Sequence, residues 1–185
     1  MLSKKLILSF GAVIIALLFS ACHCTDPGMV APNEADESFP VGSWVVTSAS
    51  SDENGNLISS LTTYSEEINN ISVNINNKIT VSLMARDEQS GIKHLEMQGG
   101  FGYTCSDLSG TASNVFDGII PLTSKDLALE SGCAKTEAYL DAVELISETC
   151  ELPFVLTEGG YSFTGIVHNH AGLEILTRLN INLAP

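Results

Sequence analysis

Basic residues are scarce in this chain. Eight Lys and Arg stand against 22 Asp and Glu in 185 residues, a formal charge of −14 with His neutral. That deficit excludes nucleic acid as a partner, because its recognition starts from a basic footprint. It equally excludes electrostatic docking on anionic lipid headgroups. Catalytic signatures are missing as well: there is no Gly-x-Ser-x-Gly turn, phosphate-binding Gly-rich loop, dinucleotide fingerprint or His-Glu-x-x-His. Carboxylates are plentiful, yet none is paired in an apolar setting that would raise its pKa. The chain is therefore expected to be no enzyme and to use no cofactor. No Cys-x-x-Cys occurs, so a zinc site of that spacing is excluded. What is abundant is apolar content, 44%, enough for one domain with a packed core.

The charge is uneven. Lys4 and Lys5 are followed by no basic residue until Lys78, and eight acids lie between. The one long apolar run, the sixteen residues Leu6 to Ala21, follows those two lysines directly. As a helix it would span roughly 24 Å, short of the ~20 residues that cross a bilayer. A basic start, an apolar stretch and small residues at its end are the marks of an export signal.

The run Leu18-Phe19-Ser20-Ala21-Cys22 resembles a bacterial lipobox, with Phe19 standing where an aliphatic residue is usual. The resemblance implies cleavage before Cys22, which would carry a thioether-linked diacylglycerol and an acylated amine with chains such as palmitate. Two or more such chains hold a protein firmly on a bilayer. His23, in place of the Asp associated with inner-membrane retention, implies delivery to the outer membrane; the side of the membrane it faces stays open. Residues 1–21 are thus expected to be a signal peptide. Residues 22–40 hold three of the six prolines, four acids and no Lys or Arg. That composition keeps a chain extended, so they are expected to form a tether.

From residue 41 the pattern changes to strict alternation. Ile71, Val73, Ile75, then Ile79, Val81, Leu83 and Ala85 alternate with polar residues, as half-buried strands do. Asn76-Asn77 is expected to break that run in two. Tyr161, Phe163, Gly165 and Val167 form a second such run, and Leu173, Ile175, Leu179, Ile181 and Leu183 a third. The Gly172-containing turn between those two predicts a hairpin. Further strands are expected at 43–48, 92–97 and 152–156, the last at an edge because of Pro153. Segment 124–146 reads two ways: Tyr139, Val143 and Ile146 fit a short helix, whereas Ala138, Leu140 and Ala142 fit a strand.

The stretch from Ile79 to Leu95, with Asp87 closing one strand and Ser90-Gly91-Ile92 opening the next, resembles the strand–turn–strand signature of bacterial immunoglobulin-like domains. Gly160 to Gly172 resembles their closing hairpin. The two blocks cover about 35 residues, at the places of the B–C and F–G strands. The resemblance implies an all-β, immunoglobulin-like antiparallel β-sandwich over 41–185, and makes Tyr161 a candidate tyrosine corner.

With Cys22 acylated, Cys24, Cys105, Cys133 and Cys150 remain. Exported chains keep disulfides, and four cysteines permit three pairings. A bridge within 105–150 is expected, Cys133–Cys150 or Cys105–Cys133, with Cys24 unpaired in the tether.

His168 and His170, two apart on an expected strand, would share a face and offer two ligands to a metal, with His94 a third. Asp87 and Glu88 are weak candidates for a calcium site at one end of the sandwich. Asp52 to Asn56 has oxygens at alternate positions, but Leu57 and Thr63 fail the EF-hand pattern, and Asn54-Gly55 reads as a turn.

The expected function is display: a lipid-anchored envelope protein whose immunoglobulin-like domain binds a protein or glycan, or scaffolds a surface complex. Its distinguishing mark would be an exposed aromatic or apolar patch at the loop ends, for instance around Phe101 and Tyr103. The alternatives are a metal-binding periplasmic protein or enzyme built on His168/His170, and an envelope spacer without a specific ligand.

Overall fold

The computed structural model describes residues 24–51, 57–65, 70–74, 77–110, 112–145, 150–151 and 153–184. Cys22, the expected signal peptide and the 52–56 turn lie outside the described residues. The described chain is all-β. Two five-stranded sheets face each other, as in a β-sandwich.

The first sheet is built on β2 (Val41–Ser51) and β5 (Lys78–Arg86). β3 (Leu57–Ser65) pairs with the free side of β2, while β9 (Glu137–Tyr139) and β10 (Val143–Leu145) share the far side of β5. The second sheet runs β4 (Asn70–Asn74), β12 (Glu174–Ala184), β11 (Val155–Asn169), β6 (Ile92–Ser106) and β7 (Ser113–Asp126). Every pairing is antiparallel except β4 with β12. A two-residue pair, β1 (Met29–Val30) with β8 (Ala134–Lys135), stands apart.

The alternating residues face inward as their period requires. Ile79, Val81, Leu83 and Ala85 line the inner face of β5, and Tyr161, Phe163, Val167, Leu179 and Ile181 meet them from β11 and β12. Trp44 joins the layers: its ring lies 5.9 Å from that of Phe163, and its Nε1 donates to Thr177 Oγ1 at 3.1 Å. The sheets approach closely at Gly165, where a Cβ would come within 2.9 Å of Leu83.

Two expectations fail. No helix forms in the described part of 124–146; the end of β7 and the short strands β8 to β10 occupy it. The alternation of buried Ala138 and Leu140 around exposed Tyr139 prevails over the helical spacing because β5 offers those residues an open ladder. Nor is the described part of 22–40 a free tether. Val30 and Met29 pair with Ala134 and Lys135, Thr136 N donates to Gly28 O, and Asp36 is buried. Pro27 and Pro32 flank the paired residues and so leave their N–H groups available.

The disulfides also differ from the expected pairings. Cys24 bonds Cys133, and Cys105 bonds Cys150. A bridge within 105–150 forms as expected, but neither leading pairing does, and Cys24 is bonded, because Cys133 lies beside β1 whereas Cys105 and Cys150 meet at the opposite end of the sandwich. The second bridge closes a 45-residue separation, for which the chain-entropy treatment gives roughly 4 kcal/mol. Peptide mapping without reduction is expected to recover only these two links. Replacing Cys105 and Cys150 with Ser together is expected to lower the unfolding free energy by about that amount in urea titration.

Candidate binding face

Both ends of the sandwich hold polar or aromatic clusters, and the first is structural. Where β5 crosses to β6, Asp87 is buried and its Oδ1 accepts from the backbone N–H of Gln89, Ser90 and Gly91 at 2.9, 2.9 and 3.3 Å. Its Oδ2 accepts from Asn169 Nδ2 at 2.9 Å. Asn169 in turn takes Leu173 N–H at 2.8 Å, closing the β11–β12 turn. Asp36 completes the cluster: Ser90 and Ser38 donate their hydroxyls to it, and Ser38 N–H lies 2.8 Å from its Oδ1. Gly91 adopts φ 71° here, and a Cβ would fall 2.4 Å from that of Ala134, so no other residue fits.

Asp87 is thus committed on both oxygens to turn amides and Asn169, and Glu88 points into solvent. The two do not form the calcium site weighed from the sequence. The hydroxyl of Ser38, then that of Ser90, hold the Asp36 carboxyl below the usual carboxylate range, outweighing the opposite effect of its burial.

His168 and His170 do not share a face, because β11 ends at Asn169 and His170 belongs to the turn. The His170 backbone N–H donates to Gly91 O, and its ring Nε2 is buried with no hydrogen-bond partner among the described residues. Burial, then the neighbouring Lys93 charge, lower its pKa. His168 stands instead directly opposite His94 on β6, with ring centroids 5.6 Å apart.

At the other end lies an aromatic ladder. Phe101 and Tyr103 sit on the inner face of β6, and Tyr103 stacks on Phe116 of β7 at 4.9 Å. Tyr161 is buried against Phe101, well inside β11 and away from the strand start that a tyrosine corner requires. A pocket of about 360 Å³ opens beside this ladder, lined by Tyr103, Phe116, Phe154 and the Cys105–Cys150 bridge. On the outer face an open trench of about 770 Å³ crosses the sheet. Gly100, Gly102 and Gly160 form its floor, where missing side chains leave the backbone bare. Val115 and Asp117 bound one side, and Asn180 and Asn182 the other.

β7 is the edge of its sheet; among the described residues no strand pairs with its free side. Edges of this kind are ready templates for pairing. Val115 is 72% exposed, Ile119 86% and Leu122 57%, a row of apolar side chains along β7 that starts at the trench with Val115. Sequence reading missed this strand, since its alternation is interrupted by Pro121 at an irregularity in register. Pro121 was the available signal, because proline inside a strand marks an edge or a bulge.

The chain matches no known family, and no curated protein resembles it closely enough to match.

Replacing Asp87 with Ala strands three backbone N–H groups and removes one of the Asn169 amide's partners. A loss of about 3 kcal/mol in unfolding free energy is expected by urea titration. Asp36→Asn is expected to destabilise at neutral pH. Because the folded carboxyl titrates below the unfolded one, its contribution exists above the ordinary carboxylate range and vanishes as pH falls through the lowered value. The two proteins should therefore converge in stability in acid, which thermal melts from neutral to low pH would check.

Proposed function

We propose that this is a lipid-anchored cell-envelope protein whose immunoglobulin-like domain displays a docking face for a protein partner. The observation that carries the binding reading is the exposed row Val115, Ile119 and Leu122 on the unpaired edge of β7, beside the glycine-floored trench. An extended segment of a partner adds to such an edge through backbone hydrogen bonds, and side-chain pockets beside it supply selectivity. The patch lies on the strand that pairs with the Phe101–Tyr103 stretch of β6, on the face opposite their rings rather than at the loop ends.

Strand order supports the immunoglobulin-like reading. β12, β11, β6 and β7 take the places of G, F, C and C′, while β2, β5 and β9/β10 take those of A, B and E. The anchor rests on Leu18 to Cys22 and on two cystine bridges, which suit an oxidising envelope compartment.

Two measurements test the proposal. Intact mass of protein extracted from membranes should begin at Cys22 and include acyl chains, and Cys22→Ala should release the protein from the membrane fraction. A mass without acyl chains would refute the anchor. For docking, a photo-crosslinking residue at 119 should give one discrete protein adduct in intact cells. A Val115→Lys substitution in the same chain should abolish it. The same label at Arg178, on the outer face of β12, should give none; equal labelling at both positions would refute the β7 face.

A further inference from the structure

We infer that His94 and His168 bind a first-row divalent transition ion on the outer face of the second sheet, with Glu96 and Glu174 as carboxylate ligands. The site is independent of the docking face and lies toward the other end of the same strands.

Register places four polar side chains in one row across adjacent strands: Asp126 of β7, His94 of β6, His168 of β11 and Glu174 of β12. Glu96 lies two residues from His94 on the same face, since side chains alternate along a strand. Within the row, His94 Nδ1 donates to Asp126 Oδ1 at 2.7 Å. A carboxylate on one ring nitrogen settles the neutral tautomer, leaving the lone pair on Nε2 for a metal. That nitrogen is 3.7 Å from Glu96 Oε2, and His168 Nε2 is 3.5 Å from Glu174 Oε2. In a tetrahedral centre with bonds of about 2.0–2.2 Å, neighbouring ligand atoms stand roughly 3.4 Å apart. Each imidazole thus has a carboxylate oxygen close to ligand spacing.

Among the described residues no three such groups converge on one point as they stand. The ion therefore engages the imidazoles first, and a glutamate follows by side-chain rotation, a fast motion at partly exposed positions. Imidazole with carboxylate suits zinc, nickel and copper rather than calcium or magnesium, and copper(II) should bind tighter than zinc. Loading would cross-link β6 to β11 near the turns that Asp87 and Asn169 hold.

The test is calorimetric titration of the detergent-solubilised full chain with zinc chloride, followed by imidazole ¹⁵N NMR. One ion per chain is expected, with the His94 Nε2 resonance shifting while Nδ1 remains protonated. His94→Gln and His168→Gln should each weaken binding at least about tenfold, and Asp126→Asn by about tenfold. His170→Gln should leave it unchanged. Absence of saturable binding at millimolar zinc would overturn the assignment, as would binding that survives loss of both His94 and His168 or disappears with His170. Thermal melts without zinc keep the variants interpretable: unchanged melting shows that a lost affinity is not lost folding.

Discussion

The Asp87 carboxylate organises one whole end of this molecule. It sits where the chain leaves the first sheet and enters the second, so the turn it closes sets the register of both. A buried carboxylate is costly unless its oxygens are satisfied. Here three turn amides and the Asn169 side chain satisfy them. Through Asn169 the same charge also fixes the β11–β12 turn, and through Ser90 it touches Asp36 of the N-terminal segment. Three stretches far apart in sequence therefore depend on one ionised group. Removing it affects the inter-sheet crossing, the closing hairpin and the chain entry together.

With that end fixed, the other is free to be unusual. An edge strand carrying Val115, Ile119 and Leu122 in solvent invites aggregation. The net charge of −14 works against indiscriminate self-association, while Pro121 and the irregularity beside it limit the length of straight edge on offer. A partner that supplies a strand and accepts a nearby acidic surface meets little opposition. Identical copies must overcome mutual repulsion.

Much of the core was legible in the sequence because the alternations at 79–85 and 161–167 lie on strands paired on both sides, where both neighbours enforce the register, and that of β12 is strong enough to survive Thr177. β7 escaped notice because an edge strand is constrained on one side only and tolerates Asp117, Gly118 and Pro121 among its apolar residues. The cystine pairing was hidden for a different reason. Proximity in sequence suggested a bridge within 105–150 that included Cys133; the bridge there joins Cys105 to Cys150 instead, because Cys105 and Cys133 are carried to opposite ends by β6 and β7. His94 and His168 were both noticed, yet only the pairing of β6 with β11 makes them neighbours. Periodicity reports which way a side chain faces, and partners across strands depend on the fold.

The Cys24–Cys133 bond bears on how far from a bilayer the molecule would work under the proposed anchor. With acyl chains on Cys22, only His23 would separate the lipid-bearing residue from a covalent link to the folded body, a leash of roughly 7 Å. Cys133 adjoins Ala134, which abuts Gly91, so that corner would rest at the headgroups with the Asp87 turn beside it. The strand β6 begins there, passes Phe101 and Tyr103 after roughly 30–36 Å and reaches Cys105 after roughly 43 Å. If the proposed anchor holds, the distance expected of a flexible linker would be spanned by a rigid β-strand, and the proposed docking edge would stand at a set height instead of sweeping a volume.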